Sequence, residues 1–384
     1  MRRWLCASLA AFALVVGVLV APATAQDVTW VRRVPTGYGL GIDVLGGTIY
    51  VAGNLHHKAN LRAYAFDGEL RWARTVSDDE AYEVAAGPKG VFVVGSTGGP
   101  LAGQHDGRGR DAFVARYTTD GRRVWVRQIS WPMAVRPREC QGEDMACPDS
   151  EEAFGVAVRG SGVYVVGRAQ TEMPGARPRD EGFILRYDLD GVRRWIRTFH
   201  QQGWDVATGP SGVYVASFLE PQVRRYFPDG TLAWVRGGAH ARATYDGIDV
   251  HGRAVYLAGG WGGNAVVRSL HFDGTQRWTT PISDRSIQSL YDVVVRGSRV
   301  FVVGTTHGRL PHQPLAGGDW DLLIAELDRD GTIEWISQIG GPRGEQGRGI
   351  AIGGGALFVA SGTAGPFLHL PSKPPSMLVL RLNV

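Results

Sequence analysis

A strand-like segment that ends in a small residue, glycine or serine, recurs seven times. This repeat constrains the fold more than any other feature. The seven copies are TIYVAG (48–53), VFVVG (91–95), VYVVG (163–167), VYVAS (213–217), VYLAG (255–259), VFVVG (300–304) and LFVAS (357–361). Eight residues before the aromatic of each copy stands an isoleucine or a valine. A second strand therefore precedes each copy in a constant register, which is typical of a repeat architecture built from short strands.

A second repeated element is Asp-Gly, three further residues and then tryptophan, as in TTDGRRVW (118–125). A third strand such as DAFVARY (111–117) precedes it. Asp-Gly favours a two-residue hairpin in which both central residues have positive φ, so the tryptophan falls on a fourth strand. We expect these tryptophans to pack in the core. They are Trp72, Trp125, Trp195, Trp234, Trp278 and Trp335.

Four short strands in each of seven units predict an all-β fold, a seven-bladed β-propeller of four-stranded blades over residues 26–384. The last unit stops after its third strand, MLVLRLNV (377–384), without Asp-Gly or tryptophan. The missing fourth strand is VTWVRRV near the start of the chain, where Trp30 has no Asp-Gly before it. The N-terminal strand is thus predicted to complete the last blade and to close the ring.

The first 25 residues are predicted to be a signal peptide. Arg2 and Arg3 precede a long apolar run, and Ala23-Thr24-Ala25 has the small-x-small pattern of a signal-peptidase site. Residues 1–25 are therefore expected to be removed, and the mature protein is expected in the periplasm, at the cell surface or outside a bacterial cell. No other apolar run reaches the length of a membrane span.

Charge and cysteine content narrow the function further. Without residues 1–25 the chain has 39 basic and 37 acidic residues and no run of lysine or arginine, which disfavours nucleic-acid binding. Cys140 and Cys147 remain in the mature chain and are expected to form a disulfide in an oxidising compartment. No cofactor is predicted, and the protein is expected to be a monomer.

The candidate binding site lies where the first strands begin. If these strands are innermost, the residues nine and ten positions before each aromatic surround the mouth of a central channel, on the face that also has the long loops. Three readings stay open: the carboxylates Glu83, Asp205 and Asp292 hold calcium, they bind a sugar together with aromatic neighbours, or they satisfy nearby backbone N–H groups. The channel-mouth candidates are Tyr82, Glu83, Trp204, Asp205, Asp246, Tyr291 and Asp292.

Motifs of common enzymes are missing from the sequence, which contains no GxSxG, HExxH or P-loop pattern. Trp261, in the glycine-rich loop GGWGGN, is predicted to be an exposed contact residue on the loop face. The sequence therefore favours a binding or interaction module over an enzyme, with an extracellular glycan or a protein as partner. The alternatives are an extracellular hydrolase or lyase that acts on a glycan or cell-wall polymer, and a structural surface scaffold.

One family resemblance covers essentially the whole mature chain. The segments YDVVVRGSRVFVVGTT (291–306) and GDWDLLIAELDRDGTIEWISQIGG (318–341) resemble the bacterial SBBP-type β-propeller repeat, and the units around Trp234 and Trp278 are shorter. The resemblance implies a secreted or surface propeller. It implies no particular activity and supplies no catalytic residues.

Overall fold

The computed structural model describes residues 28–104, 109–130, 149–171, 179–218, 222–237, 243–261, 264–282, 287–307, 310, 319–368 and 375–384. All regular structure in these residues is β-strand, which confirms the all-β prediction. In the same part of the chain, no helix is long and apolar enough to cross a membrane. The predicted signal peptide (1–25) lies outside the described residues.

Twenty-eight strands lie in the described residues, a number that fits seven four-stranded units. Unit 1 consists of β2–β5, units 2 to 6 each take the next four strands in chain order, and unit 7 consists of β26–β28 together with β1. The strands are β1 Val28–Pro35, β2 Gly37–Leu45, β3 Thr48–Leu55, β4 Lys58–Ala65, β5 Leu70–Thr75, β6 Ala81–Gly87, β7 Gly90–Thr97, β8 Gly109–Tyr117, β9 Arg123–Ile129, β10 Asp149–Arg159, β11 Gly162–Thr171, β12 Arg179–Asp188, β13 Arg193–His200, β14 Gly203–Gly209, β15 Gly212–Ser217, β16 Gln222–Tyr226, β17 Leu232–Gly237, β18 Ala243–His251, β19 Ala254–Trp261, β20 Asn264–His271, β21 Gln276–Pro281, β22 Ile287–Arg296, β23 Arg299–His307, β24 Asp321–Asp328, β25 Ile333–Ile339, β26 Glu345–Gly353, β27 Ala356–Thr363 and β28 Ser376–Asn383.

Each unit is an antiparallel meander in which consecutive strands pair. Units 1 (β2–β5), 4 (β14–β17), 5 (β18–β21) and 6 (β22–β25) are separate four-stranded sheets. Units 2 (β6–β9) and 3 (β10–β13) form one eight-stranded sheet, because Asp149 and Ser150 of β10 make a short parallel bridge to β8. Short antiparallel hairpins thus account for nearly all of the strand pairing.

Unit 7 joins the two ends of the chain. It consists of β26, β27 and β28, and β1 pairs with β28 antiparallel from Val28 opposite Leu382 to Pro35 opposite Ser376. The segment that contains Trp30 is therefore the fourth strand of the last unit, as the sequence predicts. Arg33 also donates a hydrogen bond from Nε to Ser376 Oγ across this pairing (2.9 Å).

The apolar cores lie between neighbouring units. In the described residues, seven clusters of buried apolar side chains each combine residues of two units that follow one another along the chain, with one exception. The exception joins unit 7 to unit 1, where Ala351 and Val379 pack with Ile42 and Val51. Each unit therefore shares a core with the unit on either side. Both faces of each sheet thus have apolar surface that is removed from water.

The Asp-Gly turns differ from the sequence prediction of a two-residue hairpin. In unit 1, Ala65 N donates to Glu69 O, so the loop contains the three residues between them, and of these only Gly68 has positive φ (84°). The register shifts directly after Ala63, which is a three-residue hairpin ending in a glycine bulge. The aspartate accepts a hydrogen bond from the backbone instead, as Asp67 Oδ1 does from Glu69 N (2.9 Å).

The repeated tryptophans connect one unit to the next by hydrogen bonds. Trp125 Nε1 of unit 2 donates to Leu189 O in the Asp-Gly turn of unit 3 (2.8 Å), and Arg127 Nε donates to Gly191 O (2.8 Å) while its guanidinium lies 5.4 Å from the indole centre. These tryptophans are half-buried at the outer strand, where they pack against the core without being enclosed by it. The same indole-to-turn hydrogen bond occurs for Trp30, Trp72, Trp195, Trp234 and Trp278.

Trp335 of unit 6 departs from this rule in a way that fits the chain ends. The next unit is unit 7, whose third and fourth strands belong to opposite ends of the chain and so have no Asp-Gly turn between them. Trp335 Nε1 donates to Glu326 Oε2 of its own unit instead (2.6 Å).

Candidate functional site

The candidate site lies where the first strand of every unit contains a β-bulge. In unit 2, Ala81 pairs with Gly95 and Glu83 pairs with Val94, so Tyr82 is an extra residue. In a regular strand, successive side chains point to opposite faces, whereas a bulge can direct two consecutive side chains to the same side. The seven bulged residues are Leu40, Tyr82, Phe154, Trp204, Asp246, Tyr291 and Arg348.

The first strands approach one another closely, and glycines make this possible. A Cβ on Gly41 of β2 would lie 2.4 Å from Glu83 Oε1 of β6, and one on Gly247 of β18 would lie 2.6 Å from Asp292 Cα of β22. Glycine and an acidic residue alternate at this position in units 1–7, because the glycine of one unit leaves room for the acid of the next. The set is Gly41, Glu83, Gly155, Asp205, Gly247, Asp292 and Gly349.

A cavity of about 390 Å³ lies where the bulged strands converge, and all seven channel-mouth candidates line it. Its rim includes Asn54 and Gly362, near the ends of the second strands, so it opens on the face with the connections between second and third strands. The remaining lining residues are Tyr38, Gly39, Leu40, Glu80, Phe154, Gln346 and Arg348. The structure thus brings the predicted residues together, and their binding role stays a prediction.

Aromatic rings form one wall of the cavity. Trp204 is stacked between Phe154 and Phe218, with ring centres 4.5 and 4.8 Å away, and Tyr82 meets Phe154 edge-on at 5.2 Å. Trp204 remains partly exposed and is among the residues that line the cavity. The sugar-stacking role that the sequence suggests for Trp204 stays a prediction.

Tyr82 is held in place by an ionic network around the buried carboxylate of Glu152, which sequence reasoning missed. Its hydroxyl donates a hydrogen bond to Glu152 Oε1 (3.1 Å). The same carboxylate accepts hydrogen bonds from Arg110 Nη1 (2.7 Å) and Arg168 Nε (2.6 Å). Glu152 is only 3% exposed. Two cations pair with this one carboxylate, so its buried charge is compensated. Burial, and then the charge of Glu152, raise the pKa of Tyr82 far above its ordinary value.

The opposite side of the cavity has its own cation. The Arg348 guanidinium carbon lies 4.2 Å from the ring centre of Tyr291, and Nη2 donates to Gln346 Oε1 (2.8 Å). A guanidinium over an aromatic face is a favourable electrostatic arrangement. Asp246, in the unit before Tyr291, is 6% exposed and accepts a hydrogen bond from Thr244 Oγ1 (2.8 Å).

The carboxylates at the cavity floor also tie the units together. Asp205 accepts hydrogen bonds from its neighbour Val206 N (2.7 Å) and from Ile248 N of the next unit (2.9 Å). Asp292 does the same with Val293 N (2.7 Å) and Ile350 N (2.8 Å). These acids therefore satisfy backbone N–H groups, which is one of the three roles that the sequence leaves open. The same side chains also line the cavity.

Two further carboxylates, which are not among the cavity-lining residues, were not among the predicted site residues either. Asp43 accepts from Val44 N and from Ala86 N of the next unit, both at 2.7 Å. Asp249 accepts from Val250 N and from Val295 N, also at 2.7 Å. The sequence signal was available, because both stand seven residues before the aromatic, in a column otherwise filled by alanine and valine.

Burial raises the pKa of these acids. It brings the pKa of Asp43 to about 6 and those of Asp205 and Asp246 to about 7. Burial also raises the pKa of Glu83 and Asp292 well above their usual range, and repulsion from neighbouring carboxylates, Asp205 among them, adds to the effect. The channel therefore holds acids that resist being charged together.

The predicted calcium ligands Glu83, Asp205 and Asp292 each accept a hydrogen bond from a backbone N–H group. Among the described residues, no group of three or more His, Cys, Asp or Glu that could hold a metal ion is found. Calcium binding stays a prediction.

The remaining predicted residues are Trp261 and the two cysteines. Trp261 ends β19, is 41% exposed and lies 5.8 Å from the guanidinium of Arg268, outside the set of residues that line the cavity. Cys140 and Cys147 lie outside the described residues, so their disulfide stays a prediction. Tyr38, which sequence reasoning missed, lines the cavity with 45% of its surface exposed.

Comparisons with known proteins identify the fold. No protein-family model matches the sequence, and a search of curated proteins finds no significant match. The WD40 domain of Pan2 from Neurospora crassa is similar in structure, with a TM-score of 0.54, 11% sequence identity and coverage of 90% of this chain and 89% of that one. BamB from Moraxella catarrhalis matches with a TM-score of 0.44 and 14% identity, over 90% of this chain and 82% of that one. The likeness to the WD40 domain confirms a β-propeller fold.

Proposed function

We propose that the protein is a seven-bladed propeller whose ring is closed by the N-terminal strand. Three observations support this: the number of described strands, the pairing of β1 with β28, and the apolar core shared by units 7 and 1. Trp30 of β1 adds a further link, since its Nε1 donates to Phe66 O of unit 1 (3.0 Å). In this arrangement the first strands surround a central channel, and the cavity lies at its mouth.

The propeller acts as a binding module that takes its ligand in the channel-mouth cavity. The observation that carries this proposal is the convergence of seven bulged first strands on one cavity of about 390 Å³. This volume falls within the range of small-ligand pockets, and bulges are frequent next to functional sites because they redirect side chains. A rigid sheet scaffold holds the lining residues in place.

The setting of this activity is outside the cytoplasm of a bacterial cell, with a glycan or a protein as partner and the protein itself as a monomer. The signal-peptide pattern in residues 1–25 and the resemblance to SBBP-type repeats support this setting.

The proposal is tested by screening residues 26–384 on glycan and peptide arrays, once with calcium and once with a chelator. The informative variant is Tyr38→Ala, because Tyr38 lines the cavity and is 45% exposed, so its removal costs little packing. Phe227→Ala is the matched control, since Phe227 is 42% exposed in a short turn between β16 and β17. We expect hits that Tyr38→Ala weakens and Phe227→Ala leaves unchanged.

Two results would count against this function. Hits that are equally strong in both variants would move the binding site away from the cavity, and loss of hits with the chelator would show a metal dependence that the described carboxylates do not explain. A blank array would favour a structural surface scaffold.

A second candidate is an enzyme, a hydrolase or lyase acting on a glycan or cell-wall polymer. It is favoured by one observation: burial raises the pKa of both Asp205 and Asp246 to about 7, and both line the cavity. A carboxyl group with a pKa near the working pH can both donate and accept a proton. Asp246→Asn would abolish turnover in an enzyme, whereas in a binding module it would only change affinity.

A further inference from the structure

The charge of the cavity lining is strongly unbalanced. Five carboxylates line the cavity, and Arg348 is the one cationic side chain among the described residues that do so. Glu80 and Glu83 come from unit 2, and the others come from units 4, 5 and 6. A neutral ligand would leave several of these acids protonated in a partly dehydrated space, whereas a bound cation would favour their charged forms.

Arg348 shows what kind of cation this cavity accommodates. Its guanidinium lies flat enough on Tyr291 to bring the two centres within 4.2 Å, and it donates to Gln346 at the same time. The protein thus already places a planar cation against an aromatic ring in the cavity, and the attraction of Arg348 opposes the rise in the pKa of Asp246. In the proposed ring of seven units, the unit of Arg348 would lie opposite units 3 and 4, which supply Phe154 and Trp204.

The aromatic wall at units 3 and 4 is followed directly by carboxylates. Phe154 and Phe218 both stack on Trp204, so part of its ring surface is already used within the protein. Directly after Trp204 in the chain comes Asp205, and directly after Tyr82 comes Glu83. A carboxylate has about four lone-pair positions, so one that accepts two backbone N–H bonds can still accept hydrogen bonds from a ligand.

The rim supplies an apolar contact above this charged floor. Tyr38 packs with one edge against Gly362, where an added Cβ would lie 2.5 Å from Cδ1, and the rest of its ring is exposed beside Leu40. An arginine side chain fits both the apolar residues and the carboxylates. Its aliphatic stem can lie on Tyr38 and Leu40 while its planar guanidinium donates hydrogen bonds to two carboxylates at once.

We propose that the channel-mouth cavity binds the guanidinium group of an arginine side chain presented by a partner protein. This inference rests on the proposed binding function and names its ligand. Glu83 and Asp292 accept hydrogen bonds from the guanidinium, and Tyr38 packs against the stem. A free guanidino compound has the same chemistry, and the experiment below separates the two sources.

The test is a calorimetric titration of residues 26–384 at pH 7.5 and low salt with N-acetylarginine N-methylamide, and with the citrulline analogue, which has nearly the same shape but no charge. We expect the citrulline analogue to bind at least 10-fold more weakly. Glu83→Gln is expected to weaken the binding of the arginine probe at least 10-fold. Glu69→Gln removes one charge from an exposed turn in the same way and should leave binding unchanged. Thermal melts of both variants establish that they are folded.

Each outcome decides the proposal. Equal binding of the two analogues, no arginine binding at about 10 mM, or a folded Glu83→Gln protein that binds normally would overturn it. Arginine-containing pentapeptides that bind more tightly than the single residue would identify a protein partner, and equal affinities would identify a small guanidino compound. If arginine probes fail while array hits still depend on Tyr38, this inference fails and the binding function stands.

Discussion

The buried carboxyl group of Asp246 links the cavity to the pH dependence of folding. Its ordinary pKa is 3.8, and burial raises the pKa to about 7 in the folded protein, with Thr244 and Arg348 opposing the rise. Between these values the folded state binds a proton that the unfolded state has released. The contribution of Asp246 to stability is therefore fully present below about pH 4 and is lost as the pH rises through about 7.

Asp246→Asn should remove this part of the pH dependence, because asparagine does not titrate and can still accept the hydrogen bond from Thr244. A difference of three units corresponds to about 4 kcal/mol at most, and water in the adjacent cavity reduces it, so we expect about 1–2 kcal/mol. Urea unfolding at pH 4.5 and at pH 8 measures it. The wild type should lose that much more free energy of unfolding than the variant. Parallel pH profiles would contradict this account, and Glu69→Gln controls for net charge.

At the scale of the element, the Asp-Gly turn and the tryptophan of the preceding unit form one contact. Gly191 has a φ of 77°, and a Cβ added to it would lie 2.9 Å from Cδ2 of Trp125. The glycine is thus required twice, by the backbone conformation of its own turn and by the ring that packs against it. Gly160, in the turn between the first and second strands of the same unit, has a φ of 59° with no atom within 4 Å of the added Cβ.

Gly191→Ala and Gly160→Ala separate these two requirements. Gly160→Ala should cost about 1 kcal/mol, the strain of an alanine in the left-handed region. Gly191→Ala should cost about 2–4 kcal/mol, because it also displaces Trp125 from the Leu189 carbonyl. Chemical denaturation of both variants measures the difference. Equal costs would show that the indole contact contributes nothing.

The sequence predicts the strands and their register well, because apolar alternation and Asp-Gly report local structure directly. It predicts the turn type less well, since the aspartate keeps negative φ and bonds to the backbone instead. The seven bulges cannot be read from the pattern, because the extra residue is leucine, tyrosine, phenylalanine, tryptophan, aspartate or arginine and has no common chemistry. Tyr82 and its neighbour Glu83 both line the cavity because of such a bulge, since a regular strand would direct their side chains to opposite faces.

At the scale of the whole molecule, the cavity is built across the junction of the chain ends. Tyr38 and Leu40 belong to unit 1, and Gln346 and Arg348 belong to unit 7. The two units are held together by their shared core and by β1, whose Arg32 Nε donates to Gly68 O of unit 1 (2.8 Å). The proposed closure of the ring therefore also determines the shape of the proposed binding site.

The most direct test of this account is the thermal unfolding of a chain that begins at residue 36, compared with one that begins at residue 26. Removing β1 exposes the apolar surface that Trp30, Val31 and Val34 cover, at a cost of about 5 kcal/mol or more, which corresponds to a fall in Tm of roughly 10 °C. We predict that fall, and partial recovery when a synthetic peptide of sequence VTWVRRVP is added. An unchanged Tm would contradict the closed ring and, with it, the cavity on which the proposed function rests.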